Sequence, residues 1–382
     1  MTADLYFDYN GSTPVHPEVR RVALELHERE FGNASAAHPE GRRARERIDR
    51  ARAVVARALH AAPDEIFLTS GGTESNNWAL QGSVPREGRR HVLVSAIEHK
   101  SVLATARALE AAGAMLTVVP VDRSGRVRLD AVEAALRADT ALVSLMHANN
   151  ETGVLQPVHE VGALCRARGV RFHVDAVCAL GRERLDVDRL ECDLLSLSSH
   201  KLYAPKGTGI LYVRRGTELR PLVHGCGQQC GMRGGTENTP GIAAFARALE
   251  LLEASAFPPP AALAALRDEL WERIVARFPA ARQNGAGPRL ANTLNVCFPG
   301  HRAFEVQEAL GALGISVSAG AAAATAAPSH VLLAMGLSED DARASVRFSL
   351  GSGTTRESLA QLVAALESVL RAETVSSPGA RR

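Results

Sequence analysis

Short apolar runs and amphipathic stretches alternate through the first two-thirds of the chain. Seven runs have the length and composition of buried strands: EIFLTS, RHVLVSAI, AMLTVVPV, ALVSLMH, VRFHVDA, CDLLSL and GILYVRR. Around them, PEVRRVALELHEREF, GRRARERIDRARAVVARALH and KSVLATARALEAAG carry apolar residues at i, i+3, i+4 spacing, the period of a helix with one buried face. Apolar strands separated by helices predict a mostly parallel sheet covered on both faces. The expected fold class is α/β, with a large domain over residues 15–250.

Phe257-Pro258-Pro259-Pro260 breaks this alternation. After it come the amphipathic AALAALRDELWERIVARF, the run NTLNVCF, a helix near EVQEALGALG, the strand GISVSAG and a last helix, RESLAQLVAALESVLRAE. Residues 251–375, with 1–14, are expected to form a smaller α+β domain, and 376–382 a disordered tail. The Ala-rich stretch from Ala319 to Ala327 could be helix or loop by propensity.

Composition narrows the function classes. A chain of 382 residues, 46% of them hydrophobic, can bury a large core. A formal charge of +2, with acidic and basic residues interspersed, gives no electrostatic reason to expect nucleic acid. No apolar run is long enough to cross a bilayer, so no membrane is expected. MTADLYFDYNG lacks the basic-then-apolar pattern of a signal peptide, so the expected location is the cytoplasm. In that reducing compartment the six cysteines, Cys165, Cys178, Cys192, Cys226, Cys230 and Cys297, are expected as thiols. Cys226 and Cys230 have a spacing that could serve a metal, but no second cluster supplies the remaining ligands and no metal is expected.

Ligands of open parallel sheets bind beyond the carboxyl ends of the strands, and the polar motifs of this chain follow its predicted strands. EIFLTS leads into Ser70-Gly71-Gly72-Thr73-Glu74-Ser75-Asn76-Asn77. A strand, a Gly-rich turn and a helix leave free backbone N–H groups for an anion, and Thr73 can add a hydroxyl; a plain strand–helix turn reads the same way. His99, after RHVLVSAI, could stack on a flat cofactor ring or lie on the surface. Asn149 and Asn150, after ALVSLMH, could bond a polar ligand or form a turn. Asp175 ends VRFHV; a buried carboxylate there needs a partner, either a pyridinium nitrogen or a structural cap. Ser198-Ser199-His200-Lys201 follows CDLLSL and precedes Pro205-Lys206-Gly207-Thr208-Gly209. A lysine desolvated at the end of a buried strand has a lowered pKa, becomes nucleophilic and can hold a carbonyl cofactor.

Together these motifs resemble those of the cysteine desulfurases and the related selenocysteine lyases. The resemblance runs from Tyr6-Phe7-Asp8 to Arg347-Phe348-Ser349-Leu350-Gly351. It includes Gly32-Asn33-Ala34-Ser35 with His38, SGGTESNN, EHK, ANNETG, HVDA, SSHK and Arg233-Gly234-Gly235-Thr236-Glu237-Asn238. It implies a fold-type I pyridoxal 5'-phosphate (PLP) enzyme, aspartate aminotransferase-like, working as a homodimer. The implied substrate is L-cysteine or a relative such as selenocysteine or cystine, with a protein sulfur acceptor as a further partner. The resemblance implies that Lys201 bonds the cofactor and then moves protons, that His99 stacks on its ring and serves as acid or base, and that Asp175 pairs with the ring nitrogen. It places Asn150 near the ring hydroxyl, Gly72, Thr73, Ser198 and His200 at the phosphate, and Thr236 at the phosphate in the partner subunit. Arg347, helped by Asn33, is implied to clamp the substrate carboxylate, a task suited to the guanidinium fork.

The chain departs from the family in three places. HVDA usually continues toward a glutamine that contacts the cofactor; that position is Cys178. A Gly-rich run before the dimer-contact motif reads Gly225-Cys226-Gly227-Gln228-Gln229-Cys230. The segment that carries the family's nucleophilic cysteine reads Ser318-Ala319-Gly320-Ala321-Ala322-Ala323-Ala324-Thr325, and Ser329-His330-Val331-Leu332 downstream sets a register that puts Ala323 at the cysteine's position. Sulfur transfer needs a thiolate, which alanine does not supply. Three explanations compete: an engineered Cys-to-Ala change, a natural enzyme that eliminates sulfur or selenium without that thiol, or a relocated nucleophile among Cys178, Cys226 and Cys230, which otherwise read as small packing residues. An aminotransferase or epimerase of the same fold and a non-catalytic sulfur-relay scaffold are the further alternatives; the intact Lys201, Asp175, His99 and Arg347 argue against the scaffold.

Overall fold

The computed structural model describes residues 5–84, 88–320 and 327–376. The seven predicted apolar runs become the seven strands of one sheet: β1 (Ile66–Thr69), β2 (His91–Ser95), β3 (Met115–Val119), β4 (Thr140–Met146), β5 (Arg171–Asp175), β6 (Leu194–Ser198) and β7 (Gly209–Val213). Their order is β1-β7-β6-β5-β4-β2-β3. The pairs from β3 across to β6 are parallel, whereas β7 runs antiparallel to both β6 and β1. Only residues 199–208 separate β6 from β7, too little chain for the crossover that a parallel neighbour needs.

Alternation along these strands sorts side chains onto two faces. Phe172, Val174, Leu195 and Leu197 enter a core shared with the helices Pro39–Leu59 and Thr239–Glu253. Leu142, Leu194 and Leu211 enter another core, shared with the helices Gly72–Ser83 and Lys100–Ala111. His173 belongs to this second face, bonded to Ser144 Oγ at 2.8 Å and Ser196 Oγ at 2.9 Å. By the same alternation Asp175, at the carboxyl end of β5, faces the helix Gly72–Ser83.

A second, antiparallel sheet has the order β10-β9-β8, from β8 (Arg282–Gln283), β9 (Thr293–Cys297) and β10 (Ser345–Ser349). Its core takes Phe7 and residues of the helices Pro260–Arg277, Ala303–Ala312 and Arg356–Ser376. GISVSAG is not a full strand. Ser316 bridges Tyr6 and Ser318 bridges Arg347, so the segment passes between two neighbours instead of lying along one. The N-terminal residues run beside it: Tyr9 N donates to Ser349 O, and Ser349 N donates to Phe7 O at 2.8 Å. Among the described residues, no helix is long and apolar enough to cross a membrane.

Candidate active site

The carboxyl ends of β4, β5 and β6 lie side by side because the three strands are parallel. A cleft of about 180 Å³ opens there. Gly72, Thr73, Ser198 and His200 line it, with His99, Asn150, Asp175, Cys178 and Lys201.

One end of the cleft is built to take an anion. The helix Gly72–Ser83 begins there with no side-chain cap, which leaves its first backbone N–H groups available. Close approach dictates the glycines: a Cβ on Gly72 would lie 2.6 Å from Val177, and one on Gly209 would lie 2.5 Å from Gly71 Cα. Glu74 in the first helical turn does not occupy the anion position. Its carboxylate accepts from Ser70 N at 2.9 Å and from both Arg233 Nε (2.8 Å) and Nη2 (3.1 Å). Burial, reinforced by Lys201 and Lys206, pushes His200 down to about 4, so its ring is a neutral hydrogen-bonding group at physiological pH.

Asp175 also lines the cleft and is 5% exposed. Its Oδ1 accepts from Val177 N at 3.0 Å and its Oδ2 from Asn76 Nδ2 at 2.7 Å. Asn76 also donates to Ser101 Oγ at 2.9 Å, and Ser101 Oγ is 2.7 Å from His99 Nδ1. Ser101 N donates to the same Nδ1 at 3.1 Å, so Nδ1 is an acceptor and the ring proton of neutral His99 lies on Nε2. Desolvation lowers the pKa of His99, opposed by Asp175 and aided by Lys201.

Lys201 closes the short helical turn Ser199–Lys201 that follows β6. Its Nζ donates to the carbonyls of Asn10 and, at 2.8 Å, of Gly11. Burial holds its pKa below the usual lysine value; Cys178 and Asp8 oppose that shift, and Arg347 and Arg182 add to it. A desolvated amine of this kind is nucleophilic once neutral.

Other predicted residues lie outside the cleft lining. Arg347, on β10, donates from Nη1 to the carbonyl of the cleft residue Asn150 at 2.9 Å, and its Nη2 is ion-paired with Asp8. Asn33 is exposed and accepts from Ser35 N at 2.9 Å. Thr236 is exposed on the segment that Arg233 pins to Glu74. Cys226 and Cys230 are exposed, so of the three alternative thiols Cys178 alone lines the cleft. Ala323 falls outside the described residues. Among the described residues no group of three or more His, Cys, Asp or Glu side chains could hold a metal.

Sequence reasoning missed Asn76, Ser101, Asn10 and Gly11. Asn76 carried a signal, because it lies three residues after Thr73 and so on the same helical face. Asn10 and Gly11 act through backbone carbonyls, which no side-chain pattern marks. The assembled donors fit PLP: an amine for its aldehyde, a carboxylate for its ring nitrogen, and an uncapped helix end with hydroxyls for its phosphate.

Residues 5–362 match the family described as aminotransferase class-V. The chain is 38% identical over 385 residues to a protein named cysteine desulfurase IscS from Clostridium botulinum (strain Hall), covering 99% of this chain and 97% of that one. A solved structure named NifS-like protein superposes with a TM-score of 0.89 at 36% identity, over 96% of this chain and 99% of the other. A structure described as SspA in complex with cysteine superposes with a TM-score of 0.81 at 39% identity, over 92% of this chain and 99% of the other.

Proposed function

The chain belongs to the class-V aminotransferase family, and on that premise we propose that it is a PLP-dependent enzyme of the cysteine desulfurase type, acting at the β-carbon of L-cysteine. One observation carries the reading: Lys201, Asp175 and the uncapped helix end at Gly72 line a single cleft.

Each residue then has a task. Lys201 would hold the cofactor through its amine and would move a proton at the substrate Cα. Asp175, kept in place by Asn76 and the Val177 N–H, keeps the ring nitrogen protonated. The bound cofactor supplies an electron sink for the pair left at Cα. His99, its tautomer set by Ser101, would stand against the cofactor ring. Thr73, Ser198, His200 and the Gly72 backbone would take the phosphate, Asn150 would serve the ring hydroxyl, and Cys178 stands where the family places a glutamine. Arg347, with Asn33, receives the substrate carboxylate.

The functional unit is a cytoplasmic homodimer in this reading, with a protein sulfur acceptor as a further partner. The exposed Thr236, on a segment anchored to the phosphate-binding helix by Arg233 and Glu74, supports a role in the partner subunit's site. A core around the second sheet, distinct from those on the two faces of the large sheet, supports a large domain over 15–250 and a smaller one from 1–14 and 251–375.

The alanines at 321–324, and the lack of any cysteine after Cys297, favour a second reading, in which sulfur or selenium leaves by elimination from cystine or selenocysteine. Product analysis with L-cysteine and a reductant separates the two. Alanine with stoichiometric sulfide is the desulfurase outcome, and pyruvate the elimination outcome. Release of neither from L-cysteine by the PLP-loaded enzyme would overturn the desulfurase reading, and release of neither from cystine or selenocysteine would overturn the elimination reading.

A further inference from the structure

Arg347 is 5% exposed, and its Nε–H is buried with no hydrogen-bond partner among the described residues. Each of the other two guanidinium nitrogens has one contact. Nη1 donates to Asn150 O at 2.9 Å, and Nη2 is ion-paired with Asp8. Two contacts on different nitrogens fix the plane of the fork and leave Nε as the donor that must be satisfied from outside. Buried donors are rarely left unpaired, so this position suits a ligand acceptor.

Asp8 is itself held on several sides. Its backbone bridges Ser349, and its carbonyl accepts from Gly11 N at 2.9 Å, Ser12 N at 3.2 Å and the Tyr6 hydroxyl at 3.0 Å. Its carboxylate lies against Gly11 so closely that a Cβ there would come within 2.2 Å of Oδ2. The carbonyl of that glycine accepts from Lys201 Nζ at 2.8 Å. One turn, residues 8–11, therefore touches the guanidinium with its first residue and the lysine with its last.

We propose that Asp8 is a positioning residue for the substrate carboxylate: it holds the Arg347 fork so that Nε is left for the ligand, and keeps that fork in register with Lys201. This rests on the reading of Arg347 as the carboxylate clamp. The negative charge of Asp8 opposes an incoming carboxylate, but Asp8 takes a single Nη2 hydrogen, and Nε with the remaining N–H groups can still engage a second acid.

The test is a titration of PLP-loaded enzyme followed by cofactor absorbance, with L-alanine and with ethylamine, an amine lacking the carboxylate. Asp8→Ala should raise the L-alanine dissociation constant about tenfold, the scale of a lost charged hydrogen bond, and leave ethylamine binding unchanged. Asp8→Asn keeps an acceptor for Nη2 and should lose less. Gly11→Ala, whose Cβ displaces the Asp8 carboxylate, should reproduce the carboxylate-specific loss and serves if Asp8→Ala does not fold. Equal losses for both probes would make Asp8 merely structural and overturn the inference. So would unchanged or tighter L-alanine binding in the Asp8 and Gly11 variants while Arg347→Ala loses it, and the clamp would then stand alone. Full L-alanine affinity in Arg347→Ala would remove the clamp and this inference with it.

Discussion

Asn76 Nδ2 donates to Asp175 Oδ2 at 2.7 Å, tying the helix whose uncapped start faces the cleft to the carboxylate that ends β5. Both hydrogens of that amide are used, the second on Ser101 Oγ, and Ser101 reaches His99. The acid proposed for the ring nitrogen and the imidazole proposed to cover the ring are thus joined through two intervening side chains. Rotation of either would disturb the other.

Asn76→Ala is expected to weaken PLP binding by roughly 10- to 100-fold, since a hydrogen bond to a charged group contributes ~1.5–3 kcal/mol. Equilibrium dialysis of the cofactor measures it. Asn76→Asp should do worse, because it sets a second carboxylate against Asp175. Wild-type affinity in both variants would mean that the 2.7 Å contact is incidental.

Lys201→Ala is expected to abolish the absorption band of the lysine–cofactor linkage. Turnover should fall by at least ~10²–10⁴-fold, the range for loss of one proton-transferring group. Persistence of the band in the variant would place the linkage on another amine.

Ala323→Cys is expected to increase alanine formation from L-cysteine, and intact-protein mass should show an added sulfur atom on the introduced thiol. Unchanged product yield with no added sulfur would mean that the register drawn from Ser329-His330-Val331-Leu332 is wrong.

Stability should depend on pH through Glu98. Burial raises its carboxyl to about 8, against partial relief from Ser95 and the Met146 N–H, and its Oε2 has no partner among the described residues. The folded state keeps the proton longer than the unfolded chain, so its stabilising effect is full below about 4.5 and is lost as pH rises through about 8. His147 and His173 act in the opposite sense. Burial lowers both to about 4, so folding loses stability as pH falls from 6.5 toward 4. Thermal melts of wild type and Glu98→Gln should therefore diverge with rising pH, the variant gaining relative to wild type up to about pH 8. Parallel curves across that range would show that Glu98 is ionised in the folded protein.

Much of the fold was legible because β4, β5, β6 and β7 are buried along their full length and read as continuous apolar runs. The runs carry no direction, so the reversal of β7 was not visible in them. The polar site residues were legible because parallel strands deliver their following loops to one edge, where Thr73, Asn150, Asp175 and Lys201 meet. GISVSAG alternates like a strand, yet its neighbours on either side are residues 5–7 and Arg347, far apart in sequence, and local pattern does not encode such pairings. The Asp8–Arg347 pair spans 339 residues and was illegible for the same reason.

Residues 8–10 are synthesised long before the partners they bond. Asn10 N bonds Ser349 Oγ and Asp8 pairs with Arg347, each across 339 residues. At ~5–20 residues per second, those partners leave the ribosome roughly 20–70 s after the segment itself. The seven strands of the large sheet and the helix Thr239–Glu253 that covers one face all precede β10, so a nascent chain can have Lys201 on a strand end before the Arg347 fork exists. Chain order thereby delays a working substrate site until β10 has been made, and a chain that stops before β10 has the lysine but no Arg347 to seat an amino acid.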